Sequence, residues 1–398
     1  MNPSRIYPLR NPCKQKDWGS RQAIPGFLGE PAAEAPLGEL WMGAYPGASS
    51  MLIDDDGREV GLDAAIADDP ANWLGGDGAA RSGELPFLFK ILAADSALSI
   101  QAHPSQAQAR AGFEREETAG VPRNAKHRNY RDPHHKPELI CALTPFTALV
   151  RFRAQAQIAR AFEALEPSPL AERVAALRED PGQGSLRAFF EALMALPDRE
   201  AGRLVEHAAV HAEEPEVRGW VAKLAKQHPG DRGALAPLYL NLVTLEPGQA
   251  LFLEAQELHS YLDGLAVELM ANSDNVLRGG LTQSHVDVDE LLATLSYEQG
   301  GVELAATTEL SGGWLRYESP AEEFALRRAE VQGRFEAETG GRLEILLCTR
   351  GSGQIECDGG RALPLRRGVA LVCPAAVKGY CLQGDLEVYT ARAGAGAA

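Results

Sequence analysis

Apolar and polar positions fall into three textures along the chain. From about Ile6 to Phe152, short apolar runs are separated by Gly, Pro and Trp, and the runs Phe87–Leu92, Ala97–Ala102 and Leu139–Leu143 predict strands closed by turns. Between Gln155 and Gln227 the texture changes to Ala, Leu, Glu and Arg at helical spacing, interrupted at Pro167, Pro169, Pro181 and Pro197. Several short helices are expected there, with Ser185 as an N-cap. Strand texture returns at Pro237 and continues with Gly-rich turns to Ala393. The expected class is mainly β with a helical insert, and the segment from Leu343 onward has the strand and turn spacing of a small closed sheet. The terminal AGAGAA is expected to fray.

Length and composition narrow this picture without redirecting it. At 398 residues the chain is long for a single core, so two domains, or one large domain with an insertion, are expected. Its 45% hydrophobic and 24% charged residues are ordinary globular usage. No window approaches the ~20 apolar residues of a membrane span, and no signal-like apolar segment opens the chain. The six cysteines are scattered without a CxxC pair, which suits reduced thiols. A cytoplasmic location and no membrane partner follow as expectations. Nothing in the sequence sets an oligomeric state, and a monomer is compatible with it.

Charge changes the picture more. A formal charge of −16 repels nucleic acid, and no basic patch offsets it, so no nucleic-acid partner is expected. The same field repels a phosphorylated small molecule. Such a ligand must be held by a few cations gathered in a pocket.

Three stretches carry candidate chemistry. In LSIQAHPS a strand puts Ser99, Gln101 and His103 on one face, because side chains alternate with period two. In HHKPELICAL a strand opening near Pro137 points Lys136 and Glu138 the same way. In EAQELHSYLDG, His259 precedes a Tyr-Leu-Asp-Gly turn. Two imidazoles and a carboxylate are a common zinc set, with a Gln amide oxygen the unusual fourth member. Taken one at a time, these stretches equally suit a half-buried strand and a solvated turn, and composition does not assemble them in space. His207 and His211 stand at i and i+4 in VEHAAVHAEE, but no Glu follows His207, and the pair reads as a solvated helix face.

The blocks DWGS, ELWMGAYP, LPFLFKILAADSALSIQAHPS, NYRDPHHKPEL and HSYLDGLAVELMANSDNVLRGGLT resemble the type I phosphomannose isomerases, and they occur in that family's order. The resemblance is strong over 6–152 and 238–295 and loose in the final segment. It implies two cupin-like (jelly-roll) β domains plus an inserted α-helical domain: a catalytic domain of 1–152 and 236–320, a helical insert of 153–235 and a C-terminal domain of 321–398. It implies one Zn2+ per chain on Gln101, His103, Glu138 and His259, with Arg278 as the catalytic arginine. The implied activity, in mannose and carbohydrate metabolism, interconverts mannose 6-phosphate and fructose 6-phosphate through an enediol. Two alternatives stand beside it: a cupin-type sugar-phosphate binding or regulatory protein without turnover, and an isomerase of another phosphorylated sugar.

Aldose–ketose isomerisation needs a base, a carbonyl polariser and a phosphate anchor. Lys136 is the expected proton carrier, since a nearby dication favours its neutral form, with His135 and Asp274 as rivals. Lys90, a lone cation in the apolar FLFKIL run, and Ser99 are expected to bind substrate. The chain departs from the family at Ser284, where a phosphate-binding lysine is usual, and at Tyr45, where His is usual. Ser99, Lys90 and His285 are the candidates to compensate for the missing lysine.

Overall fold

The computed structural model describes residues 1–76, 83–165, 167–357 and 360–394; the last residues of the expected frayed tail, 395–398, lie outside the described residues. The run expected as a strand at Phe87–Leu92 extends over Phe87–Ala94 and is buried along its whole length. Phe87, Phe89 and Ile91 enter one core while Leu88, Lys90 and Leu92 line a pocket on the opposite face. A strand covered on both sides reads as an unbroken apolar run, which is why Lys90 stands out in it.

Among the described residues the strands form two sheets. One runs, by neighbour, Leu240–Leu245, Phe146–Phe152, His259–Ala271, Phe87–Ala94, Leu37–Met42, Cys13–Ser20. Glu138–Ala142 pairs with both Ala250–Leu253 and His259–Ala271, and Ile100–Ala102 pairs with His259–Ala271 and Leu277–Gly280. The other sheet is built on the long strands Ala325–Glu338, Gly379–Arg392 and Glu344–Cys357. It also takes in the N-terminal strand Tyr7–Arg10, which is hydrogen-bonded to Ala370–Cys373, and the strands Thr307–Glu309 and Leu315–Tyr317. The two sheets share a core in which Leu40, Phe89 and Val267 meet Leu326, Ile345 and Tyr389. The class is the expected one, mainly β and cupin-like with a helical insert.

His259–Ala271 organises the first sheet. Its first half pairs with Ile100–Ala102 and Phe146–Phe152, its second half with Phe87–Ala94 and Glu138–Ala142. At the changeover the register shifts between Tyr261 and Asp263, and Gly264 adopts φ +121°, where a Cβ would lie 2.6 Å from the Pro145 carbonyl oxygen. The turn expected after His259 is therefore a bulge inside a continuous strand, and only glycine fits it.

The helical region breaks where prolines predict. Helices span Gln155–Glu163, Ala171–Glu179, Gln183–Met194, Asp198–His211 and Pro215–Gln227. Their apolar faces pack on Ile100, Ala102, Leu149, Phe152 and Leu277, the back of the strands that carry Gln101 and Arg278. Ser185 is not the N-cap expected from the sequence. The chain enters that helix at Gly182, and Ser185, one turn in, accepts the Gly182 N–H at 3.1 Å. The strand expected over Ala97–Ala102 is also shorter, Ile100–Ala102, because the Asp95 and Ser96 amides bond the Trp18 carbonyl and Leu98 bonds Tyr261 instead.

Candidate active site

Strand register brings the distant polar residues together. Gln101 lies opposite His259 on one neighbouring strand and opposite Arg278 on the other. His103 follows one residue beyond its strand, with its carbonyl oxygen accepting the Gln256 amide at 2.7 Å. Glu138 opens the adjacent strand, with Met270 opposite it. Its side chain reaches both imidazoles, His103 Nε2 at 3.4 Å from Oε1 and His259 Nε2 at 3.4 Å from Oε2. Lys136 Nζ donates to Glu138 Oε1 at 2.9 Å.

These groups fit a metal ion. His103 Nδ1 is 2.7 Å from the Asn275 carbonyl oxygen and His259 Nδ1 is 3.1 Å from that of Glu257, so each ring donates at Nδ1 and turns the lone pair of Nε2 inward. His103 Nε2, His259 Nε2 and Glu138 Oε2 are buried and hydrogen-bonded to nothing, an arrangement that costs free energy unless a cation fills it. The ligand atoms of the three residues lie within 4.8 Å of one another, and among the described residues no other His, Cys, Asp and Glu group does so. His207 and His211 stack 4.4 Å apart on their helix without a third ligand.

Electrostatics keeps the group in its metal-binding form. Burial, reinforced by Lys136, pushes the His103 imidazole down to about 4, so the ring is neutral at physiological pH. Burial by itself would raise the Glu138 carboxyl, but Lys136 and the two histidines outweigh it and hold the group well below the carboxylate range. The site therefore offers a neutral imidazole at His103 and an anion at Glu138.

Above this group opens a pocket of about 290 Å3, the size of a hexose phosphate site. Gln101, Ser99, Lys90, Lys136, Asp274 and Arg278 all line it. Lys90 is 5% exposed and donates to Glu268 at 2.9 Å and Glu39 at 3.2 Å. Burial opposes its charge, yet Glu268 and Glu39 more than offset that and keep it protonated. Asp274 accepts a 2.5 Å hydrogen bond from Tyr45, the residue that departs from the family pattern. His135 is not on the wall. Its ring pairs with Glu323 at 2.5 Å. Ser284 and His285 are exposed and also off the wall, so neither contacts a pocket ligand.

Several residues here escaped the sequence reading. Glu39 and Glu268 had the signal that singled out Lys90, one charge inside an apolar strand (GELWM, VELM); register sets Glu268 opposite Lys90 and Glu39 opposite Leu92, the next position on the same face. Asn275 gave no such signal. Its buried amide donates to the Asp132 and His134 carbonyls at 2.7 and 2.9 Å and accepts the Arg131 amide at 2.7 Å, while its own carbonyl orients His103. Asn275→Ala should loosen that backbone and weaken divalent-metal affinity by about 10–100-fold, the usual cost of removing a group that orients a ligand. Competition with a chromogenic chelator measures this, and an affinity within about twofold of the parent would refute the positioning role.

A larger cavity of about 850 Å3 opens on the C-terminal sheet beside Trp314, Arg327 and Arg392. Its buried cations already share Glu344, and none of the metal-ligating residues reaches it.

The family model for the catalytic domain of type I phosphomannose isomerase matches residues 6–155. The mannose-6-phosphate isomerase of Salmonella typhimurium is 37% identical over 354 residues, covering 88% of this chain and 90% of that protein. That of Escherichia coli is 36% identical over 381 residues, with 94% and 97% covered, and the human protein is 31% identical with 84% of each covered. A crystal structure of a zinc-bound mannose 6-phosphate isomerase superposes with a TM-score of 0.90 at 34% identity, over 98% of this chain and all of that one. Identity of this extent over nearly the full length of both partners means that the chain belongs to the type I phosphomannose isomerase family.

Proposed function

We propose that the chain is a zinc-dependent isomerase interconverting mannose 6-phosphate and fructose 6-phosphate. The observation that carries this reading is the buried group of His103, Glu138 and His259, whose unpartnered atoms converge beneath a hexose-sized pocket lined with cations. One zinc ion held by these three residues, with Gln101 as fourth ligand, would supply a Lewis acid for the sugar's carbonyl and hydroxyl oxygens.

The reaction moves a proton between C2 and C1 while negative charge builds on two adjacent oxygens. Lys136 is our proton carrier. Its counter-charge is the Glu138 carboxylate, and it stands on the pocket wall within reach of a bound sugar. Asp274, held against the wall by Tyr45, is its rival, whereas the bond of His135 to Glu323 takes that ring out of our assignment. Arg278 meets the charge of the enediolate or the phosphate with a guanidinium that does not deprotonate. Lys90, already shared by Glu39 and Glu268, fixes those carboxylates as acceptors for sugar hydroxyls rather than neutralising phosphate. The Ser99 hydroxyl lies on the wall as a further partner.

We propose the division into a catalytic unit of 1–152 and 236–320, a helical insert of 153–235 and a C-terminal unit of 321–398, with Tyr7–Arg10, Thr307–Glu309 and Leu315–Tyr317 counted in the C-terminal sheet to which they bond. A cytoplasmic location fits the scattered cysteines, which form no CxxC pair, and a monomer fits a pocket walled by one chain. Among the described residues no helix is long and apolar enough to cross a membrane.

The experiment is conversion of mannose 6-phosphate by purified protein before and after chelation. Turnover should vanish with the chelator and return with zinc rather than magnesium, which disfavours imidazole ligands. A folded, zinc-loaded protein that leaves mannose 6-phosphate untouched refutes the reading.

A further inference from the structure

The cations of the pocket divide into two sets. Lys16, Lys90 and Lys136 are matched by Glu39, Glu268 and Glu138, and each lysine lies within 3.5 Å of a carboxylate. Lys126, Arg131 and Arg278 share the pocket with one remaining carboxylate, Asp274, which is bonded to Tyr45. None of these three cations has a carboxylate partner or a side-chain hydrogen bond among the described residues. In a chain of net charge −16, a set with an excess of two positive charges is a specific arrangement. It equals the charge of a phosphate monoester dianion.

The backbone under these cations is pinned. The Arg131 amide donates to Asn275 Oδ1 at 2.7 Å, which ties Arg131 to a point three residues before Arg278. The loop bearing Lys126 is anchored by the buried Arg128, whose Nε donates to the Tyr130 carbonyl at 2.7 Å and whose Nη2 reaches Glu117 at 2.7 Å. Arg131 and Arg278 are like charges on the wall of one pocket, opposed and with no anion paired to either. Such opposition is relieved by an anion bridging both groups, and a planar guanidinium is suited to two phosphate oxygens at once.

We propose that Arg131 and Lys126, together with Arg278, clamp the phosphate of the hexose phosphate substrate, replacing the lysine that is absent at Ser284. The clamp rests on the isomerase reading for its substrate but not for its anion. It puts the phosphate on the unpaired cations and the reacting carbons beside Lys136 and the metal-binding group.

The test uses the full zinc-loaded chain and the variants Arg131→Gln, Lys126→Gln and the double variant, all changes of exposed residues. Calorimetric titration with inorganic phosphate reads the clamp directly, and steady-state kinetics with mannose 6-phosphate reads it in turnover. Arg131→Gln should raise both the phosphate dissociation constant and KM by about tenfold, with a smaller fall in kcat, because phosphate contacts are made equally in ground and transition states. Arg131→Lys should recover part of the loss, and the double variant should lose more than either single one. Phosphate affinity and KM within about twofold of the parent in the double variant would overturn the proposal. So would a tenfold gain in affinity from Ser284→Lys, which would put the phosphate at that position. A parent that binds phosphate through Arg131 yet leaves mannose 6-phosphate unconverted keeps the clamp and sinks the isomerase reading. A parent that converts mannose 6-phosphate, with silent variants, does the opposite.

Discussion

His259→Asn should give a folded protein that retains little zinc and isomerises mannose 6-phosphate about a thousandfold more slowly. His259 is fully buried, its Nδ1 is committed to the Glu257 carbonyl, and its Nε2 has no protein hydrogen bond. On the proposed reading, its contribution is to a metal ion. Lewis-acid stabilisation of a developing oxyanion is worth several kcal/mol, and each ~1.4 kcal/mol is a factor of ten in rate. Glu138 keeps Lys136 as partner in the variant, so the lost imidazole leaves no new unpaired charge and the fold should survive. Zinc content by atomic absorption, circular dichroism and turnover decide the matter together. A variant that still holds one zinc per chain and turns over normally removes His259 from the site.

Lys136→Met should separate the proton carrier from the metal. The substitution keeps an apolar stem of similar length and deletes the amine 2.9 Å from Glu138. A well-placed general base contributes about 10²–10⁴-fold, and kcat should fall by that much while zinc stays bound. Zinc retention is the discriminating readout, because Glu138 then has a metal instead of an ammonium to offset its charge. Near-normal turnover would end the assignment. An equal loss in Asp274→Asn with a mild one in Lys136→Met would transfer the role to Asp274, which shares the wall through its bond to Tyr45.

Much of the local structure was legible from side-chain pattern. The apolar run at Phe87–Ala94, the proline breaks between helices and the lone charge at Lys90 each follow from backbone preference and burial acting within a few residues. Local pattern failed where a distant partner overrode it. The backbone of Asp95–Leu98 turns to Trp18 and Tyr261 instead of extending the strand, and Gly182 rather than Ser185 opens its helix. The Tyr-Leu-Asp-Gly stretch at 261–264 reads as a turn, yet it bends a continuous strand whose two halves pair with different neighbours.

The candidate site divides the same way. Residue identity determined which atoms can hold zinc, which cations cannot deprotonate and that a phosphate needs a gathered positive charge in so acidic a chain. The tertiary structure alone decided which of those groups meet: that Lys90 spends its charge on Glu39 and Glu268, that His135 turns to Glu323, and that Arg131 and Lys126 line one pocket with Arg278. The reason is range. Propensity and periodicity act over a turn or a pleat, whereas an ion pair or a metal site is set by strand register between segments as far apart as Lys90 and Glu268, and no local pattern encodes that register.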